Sequence, residues 1–82
     1  MTLTRTEIKN IVGETLGEIL GDDEISLGDD TTADDVEDWD STNHVRLIIA
    51  LESRLGIQFQ TQEITSPETV GQLVDLIHKK LA

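Results

Sequence analysis

The apolar positions of this 82-residue chain fall into three stretches with helical spacing. In the first, Ile8, Ile11, Val12, Thr15, Leu16 and Ile19 share one face, leaving Lys9, Glu14 and Glu18 outside. Thr4 followed by Glu7 reads as a capping box, in which each side chain satisfies an otherwise unpaired backbone N–H. Gly21 is the expected stop, because glycine tolerates the left-handed conformation at a helix end. Gly13 and Gly17 lower the helix propensity and suggest close packing or a marginal segment. A second helix is predicted from Asp40-Ser41 to about Leu55, ending at Gly56. Leu47, Ile48, Leu51 and Leu55 form its inward stripe, while Thr42, Val45, Arg46, Ile49 and Ser53 lie mainly on another side. Ile57-Gln58-Phe59 reads as a short extended piece and Gln62-Glu63-Ile64 as a single helical turn. The last helix is predicted with Ser66 as N-cap and Pro67 at the first helical position, where a missing N–H costs nothing. Val70, Leu73, Val74, Ile77 and Leu81 line its buried face, and Lys79 and Lys80 suit the dipole at its C-terminal end. His78 reads as a residue of that same end.

Residues 21–40 read as a long loop, which in a compact domain is uncommon and often functional. Ile25, Leu27, Val36 and Trp39 are its four apolar side chains and are expected to pin it to the core. The pattern therefore predicts an all-α fold: a small four-helix bundle of three main helices and one short one, with the long loop between the first and second. No strand alternation is convincing, and no internal repeat or low-complexity segment occurs. One domain, residues 1–82, is expected. A core of this size supplies no more than about 3–5 kcal/mol without a staple.

Composition narrows the function classes. There is no cysteine, so no disulfide can form, and the chain supplies no thiol as nucleophile or metal ligand. No apolar stretch approaches the length of a membrane span, and residues 1–20 carry no signal-peptide core, so a cytoplasmic protein is expected. Asp and Glu number 17 against 6 Lys and Arg, for a formal net charge of −11. Nucleic acid is disfavoured as a partner because phosphates are repelled, and basic protein surfaces are the natural complement. Ten of the 17 carboxylates lie between Asp22 and Asp40, with no Lys or Arg among them. A charge run of this kind is either a solvated loop or a recognition surface beside the site it leads into.

That run ends at Asp40-Ser41. A serine at a helix start lies at the positive end of the macrodipole beside unpaired N–H groups, a good place for a phosphate to be held or attached. Taken alone, the pair reads equally as an ordinary helix cap. The wider stretch decides: Trp39-Asp40-Ser41-Thr42-Asn43-His44-Val45-Arg46-Leu47-Ile48-Ile49-Ala50-Leu51-Glu52, followed by Leu55-Gly56-Ile57, resembles the core motif of acyl and peptidyl carrier proteins. The likeness extends over nearly the whole chain, down to a last helix that starts at Ser66-Pro67-Glu68-Thr69-Val70.

The resemblance implies a bundle of acyl-carrier type and a function as a carrier rather than an enzyme. Ser41 would bear covalent 4′-phosphopantetheine, delivered from coenzyme A by a phosphopantetheinyl transferase, and the arm's thiol would carry acyl groups as thioesters. Asp40 stands at the position of the family's transferase-recognition aspartate. Thr42, Val45, Arg46 and Ile49 complete the expected recognition face. Partners would be the transferase and acyl-loading and acyl-transferring enzymes with basic docking patches, met by a monomer. A peptidyl carrier, or an unmodified interaction module of the same fold, remains the alternative. Two departures mark this chain: Thr42 replaces the family's usual leucine, and Arg46 and His44 put potential positive charge on a helix that fatty-acid carriers tend to keep acidic. Both point towards dedicated partners rather than the housekeeping fatty-acid machinery. His44 itself reads as a packing or solvent-exposed neighbour, because no second catalytic group accompanies it.

The acidic run does not spell an EF-hand, which needs Asp at position 1, Gly at 6 and Glu at 12 of its loop. Starting from Asp22 these positions hold Leu27 and Ala33, and from Asp29 they hold Asp34 and Asp40. Clustered carboxylates still repel one another, and a divalent cation relieves that without a dedicated site. Added calcium or magnesium should therefore raise the melting temperature modestly in thermal denaturation; an unchanged curve would contradict this.

Overall fold

The capping signals predict the first element closely. In the computed structural model, which describes residues 3–22 and 25–81, helix α1 spans Arg5–Leu20. Thr4 accepts from the Glu7 backbone N–H while Glu7 reaches back to Thr4, and Gly21 closes the helix at φ 70°. Asp23 and Glu24, two carboxylates of the acidic run, lie outside the described residues. A 3-10 turn at Ala33–Asp35 interrupts the long connection. Helix α2 spans Ser41–Leu55 and closes at Gly56 (φ 65°). Helix α3 is the expected single turn, Thr61–Thr65, and helix α4 spans Val70–Leu81.

The start of α4 corrects the sequence expectation. Ser66 is the C-cap of α3, not the N-cap of the last helix, and Pro67 lies in the connection. The role falls to Thr69, whose hydroxyl accepts from Gln72 N–H at 3.2 Å, while Gln72 Oε1 accepts from Glu68 N–H at 2.8 Å. The physical reason lies in the long loop. Its carbonyls at Thr31 and Asp29 take the N–H groups of Val70 and Gly71, at 2.8 and 2.9 Å, so the helix begins where those acceptors are.

The stripes read from the sequence meet as one core. Ile8, Val12 and Leu16 of α1 pack with Leu47, Ile48 and Leu51 of α2 and with Val70, Leu73, Val74 and Ile77 of α4, and α1 touches both of the other helices. Trp39 and Phe59 close the two ends of α2. Ile25, Leu27 and Val36 pack against this core as the loop's pins. Of the two glycines in α1, Gly17 is the tight one: a Cβ there would stand 2.7 Å from the Asp22 carbonyl oxygen, whereas Gly13 faces only ordinary contact with Leu27. Thr15 is buried yet satisfied, donating to the Ile11 carbonyl and accepting from Arg54.

Ion pairs at the surface fasten the long loop and the helices to one another. Asp29 receives Lys9 at 2.6 Å and Arg5 at 3.5 Å, and Arg5 also reaches Asp75 and the Gly71 carbonyl. Glu63 receives Lys80 at 2.8 Å, and the same ammonium lies 5.6 Å from the centre of the Phe59 ring. The Lys9 ammonium holds the Asp29 carboxyl below its ordinary value. The Gln60 backbone N–H, then Lys80, do the same for Glu63. A carboxylate held down in the folded state stabilises it above the unfolded pKa, and that contribution is lost as pH falls through the folded value. The melting temperature of the wild type should therefore approach that of Asp29→Asn as pH drops below about 4. A gap between the two that stays constant down to the acid limit would contradict the assignment.

Candidate phosphopantetheine attachment site

Helix α2 starts at residue 41 because Asp40 takes the cap. Its backbone is extended (φ −102°, ψ −175°), and its carboxylate accepts from Asn43 N–H at 2.9 Å. The division of labour between the two neighbours is the central geometric fact of the site. Asp40 does the capping, and Ser41 stands as the first helical residue, exposed, with a hydroxyl that makes no hydrogen bond to any described residue. A serine spent on capping would have that oxygen tied to the backbone of its own helix; this one is open to reaction.

The residues singled out with Ser41 lie together. Asp40, Thr42, Val45, Arg46 and Ile49 are all exposed, on the side of α2 away from Leu47, Ile48 and Leu51. Val45 is 46% and Ile49 60% exposed, whereas the other large aliphatics among the described residues are buried or half-buried. Ile49 follows Ser41 by two turns, about 12 Å along the helix. Arg46 sits between them and makes no ion pair or hydrogen bond with the described residues, unlike Arg5, Lys9, Arg54 and Lys80. On the other side of Ser41 the loop presents exposed Asp30, Asp34, Asp35, Glu37 and Asp38.

Two residues that the sequence reading did not assign to the site belong to it. Asn43 Nδ2 donates to the Asp38 carbonyl at 2.7 Å. His44, half-buried, accepts from the Trp39 indole N–H at 3.2 Å through Nδ1, and its Nε2 lies 2.7 Å from the Ile64 carbonyl oxygen. Asn43 could have been suspected from the preference of amide side chains for loop backbone near helix starts. The His44 partners are set by tertiary packing and leave no local signal.

The surroundings suit an arm attached at the surface rather than a preformed binding pocket. The cavity beside Trp39 and His44, also lined by Thr31, Pro67 and Leu73, has about 40 Å³, room for about one water molecule. An open groove of about 490 Å³ along α1 is lined by Lys9, Glu14, Glu18 and Ile25 among others, and by no residue of α2. Among the described residues no three His, Asp or Glu side chains converge as metal ligands, and no helix is long and apolar enough to cross a membrane.

Comparison with known proteins gives this geometry its setting. Residues 7–77 match the family described as "Phosphopantetheine attachment site". The chain belongs to the acyl carrier protein family. Acyl carrier proteins of Petrotoga mobilis and Thermotoga maritima are 35% and 32% identical to it, over 92% and 95% of this chain and 84% and 96% of theirs. That of Acidothermus cellulolyticus is 29% identical over 94% of this chain and 92% of its own. The solution structure of the holo acyl carrier protein from Geobacter metallireducens superposes with a TM-score of 0.82 at 35% identity, covering 90% of this chain and 85% of that one. This carrier therefore takes covalent 4′-phosphopantetheine from a phosphopantetheinyl transferase and carries acyl groups among acyl-handling enzymes, catalysing no step itself. The residues fit the group: an exposed hydroxyl at a helix start that makes no hydrogen bond to any described residue.

Proposed function

We propose that Ser41 is the residue that bears the 4′-phosphopantetheine arm. The observation that carries this is the free Ser41 hydroxyl beside an Asp40 that already serves as cap. In the loading step the serine oxygen forms a new P–O bond to the pantetheine-bearing phosphate of coenzyme A. The pyrophosphate link breaks, adenosine bisphosphate leaves, and the hydroxyl proton passes to the transferase. The thiol of the arm then carries acyl groups as thioesters, at a raised effective concentration near each docked enzyme.

The exposed pair Val45 and Ile49, with Asp40, Thr42 and Arg46, supports a docking face on α2. The acidic loop supports partners with basic patches, met by weak and fast electrostatic docking. Arg46 breaks that acidity in the middle of the face and, with Thr42 after the serine, supports a dedicated set of partners in a specialised acyl pathway. We place this work in the cytoplasm, with the carrier acting as a monomer.

Incubating the apo protein with coenzyme A and a broad-specificity phosphopantetheinyl transferase should add one phosphopantetheine mass, read by intact-mass spectrometry. Ser41→Ala should show none. Absence of the gain in the wild type with several transferases would instead favour an unmodified interaction module. In the same assay Ile49→Ala should raise KM several-fold while leaving kcat near the wild-type value, because a contact on an exposed face contributes to docking and not to chemistry. An unaltered KM would remove Ile49 from the docking face.

A further inference from the structure

The three residues before Ser41 are each held by the first turn of the helix that follows it. Asp38 is the only described non-glycine residue with positive φ, at 69°, a conformation that side-chain-bearing residues adopt reluctantly. Its carbonyl accepts twice, from Asp40 N–H at 3.0 Å and from Asn43 Nδ2 at 2.7 Å. Trp39 is only 7% exposed and gives its indole N–H to His44. Asp40 gives its carboxylate to Asn43 N–H and its carbonyl to His44 N–H, at 2.9 and 2.8 Å. Asn43 and His44 thus close on Asp38, Trp39 and Asp40 in turn, with Ser41 at the bend between the two arms.

The hydrogen-bond chemistry also fixes the state of His44. An indole N–H can only donate, so Nδ1 must present a lone pair. Nε2 then carries the proton and donates to the Ile64 carbonyl, which ties α3 to the start of α2. The imidazole is neutral in this arrangement. A second proton on Nδ1 would set N–H against N–H and break the Trp39 bond.

We propose that Asn43 and His44 are positioning residues for the modification of Ser41: by holding Asp38 and Trp39 they fix the direction in which the serine hydroxyl is presented to the transferase. The inference rests on Ser41 being the attachment residue, and it assigns a role to side chains that touch neither the hydroxyl nor the docking face.

Two measurements test this. In transferase assays below the melting temperature of each variant, Asn43→Ala and His44→Phe should lower kcat by at least about tenfold, because misdirection of a nucleophile is paid in the chemical step. KM should change much less, since the docking face is intact. Both variants modified at the wild-type kcat would overturn the proposal. The second measurement needs no variant. In ¹⁵N NMR of the wild-type apo protein, His44 should show the Nε2–H tautomer at neutral pH. A protonated Nδ1 at neutral pH would refute it. If the wild type takes up no phosphopantetheine, the attachment reading fails, while the NMR still decides whether the clamp exists.

Discussion

Everything near the serine depends on a bargain between the start of α4 and the long loop. The first N–H groups of a helix have no partner within it. A loop crossing a helix end likewise has carbonyls to satisfy. Here Val70 and Gly71 donate to Thr31 and Asp29, and each set settles the other. The approach is so close that a Cβ on Gly71 would stand 2.9 Å from the Asp29 carbonyl oxygen. Residue 71 is glycine for that reason. The Asp29 side chain then reaches Lys9 and Arg5, so the same point fastens the loop to α1 as well. From there the chain has only the 3-10 turn and the left-handed Asp38 to pass before Trp39 drops into the core. The place of Ser41 relative to α4 is inherited from this junction.

Magnitudes separate what holds the fold from what shapes it. Each large aliphatic side chain in the core contributes about 1.5–3 kcal/mol by leaving water, whereas an exposed ion pair contributes about 0–1 kcal/mol. The side chains at Asp29 and Asp75 are about half or more exposed, so these pairs cannot carry the bundle. They decide instead where a strongly acidic loop comes to rest, and how that placement answers to acid. With a net charge of −11 the chain has few cations to give, and most are spent on such fastenings. Arg46, beside Ser41, is one of the two cations, with Lys79, that make no ion pair among the described residues.

What could be read from the sequence was what depends on neighbours in sequence. The Thr4–Glu7 box, the Gly21 and Gly56 stops, the three apolar stripes and the single turn near Glu63 are all local, and the structure has them where the spacing placed them. The start of α4 was misplaced because Ser66-Pro67 is a good local signal overruled by a distant one, the carbonyls of Thr31 and Asp29 some 40 residues earlier. His44 was legible only as a packing or solvent-exposed neighbour for the same cause. Its two partners, Trp39 and Ile64, come from opposite sides in the chain, and only the assembled bundle brings an indole donor and a free carbonyl to the two nitrogens of one ring.

The same reasoning refines what a serine at a helix start can do. A free helix N-terminus attracts anions, which made residue 41 look like a place where phosphate could be held as well as attached. The structure parts these two properties. One of the N–H groups that would greet an anion, that of Asn43, is already taken by the Asp40 carboxylate, which brings its own negative charge to the same spot. A phosphodiester on the neighbouring Ser41 would find that end of the dipole partly occupied and would be pushed outward by Asp40, and no Lys or Arg lies between residues 22 and 45 to draw it back. An arm on Ser41 would be tethered firmly and gripped weakly. For an arm that must deliver its end to one enzyme after another, that combination follows from giving the cap to aspartate and leaving the serine free.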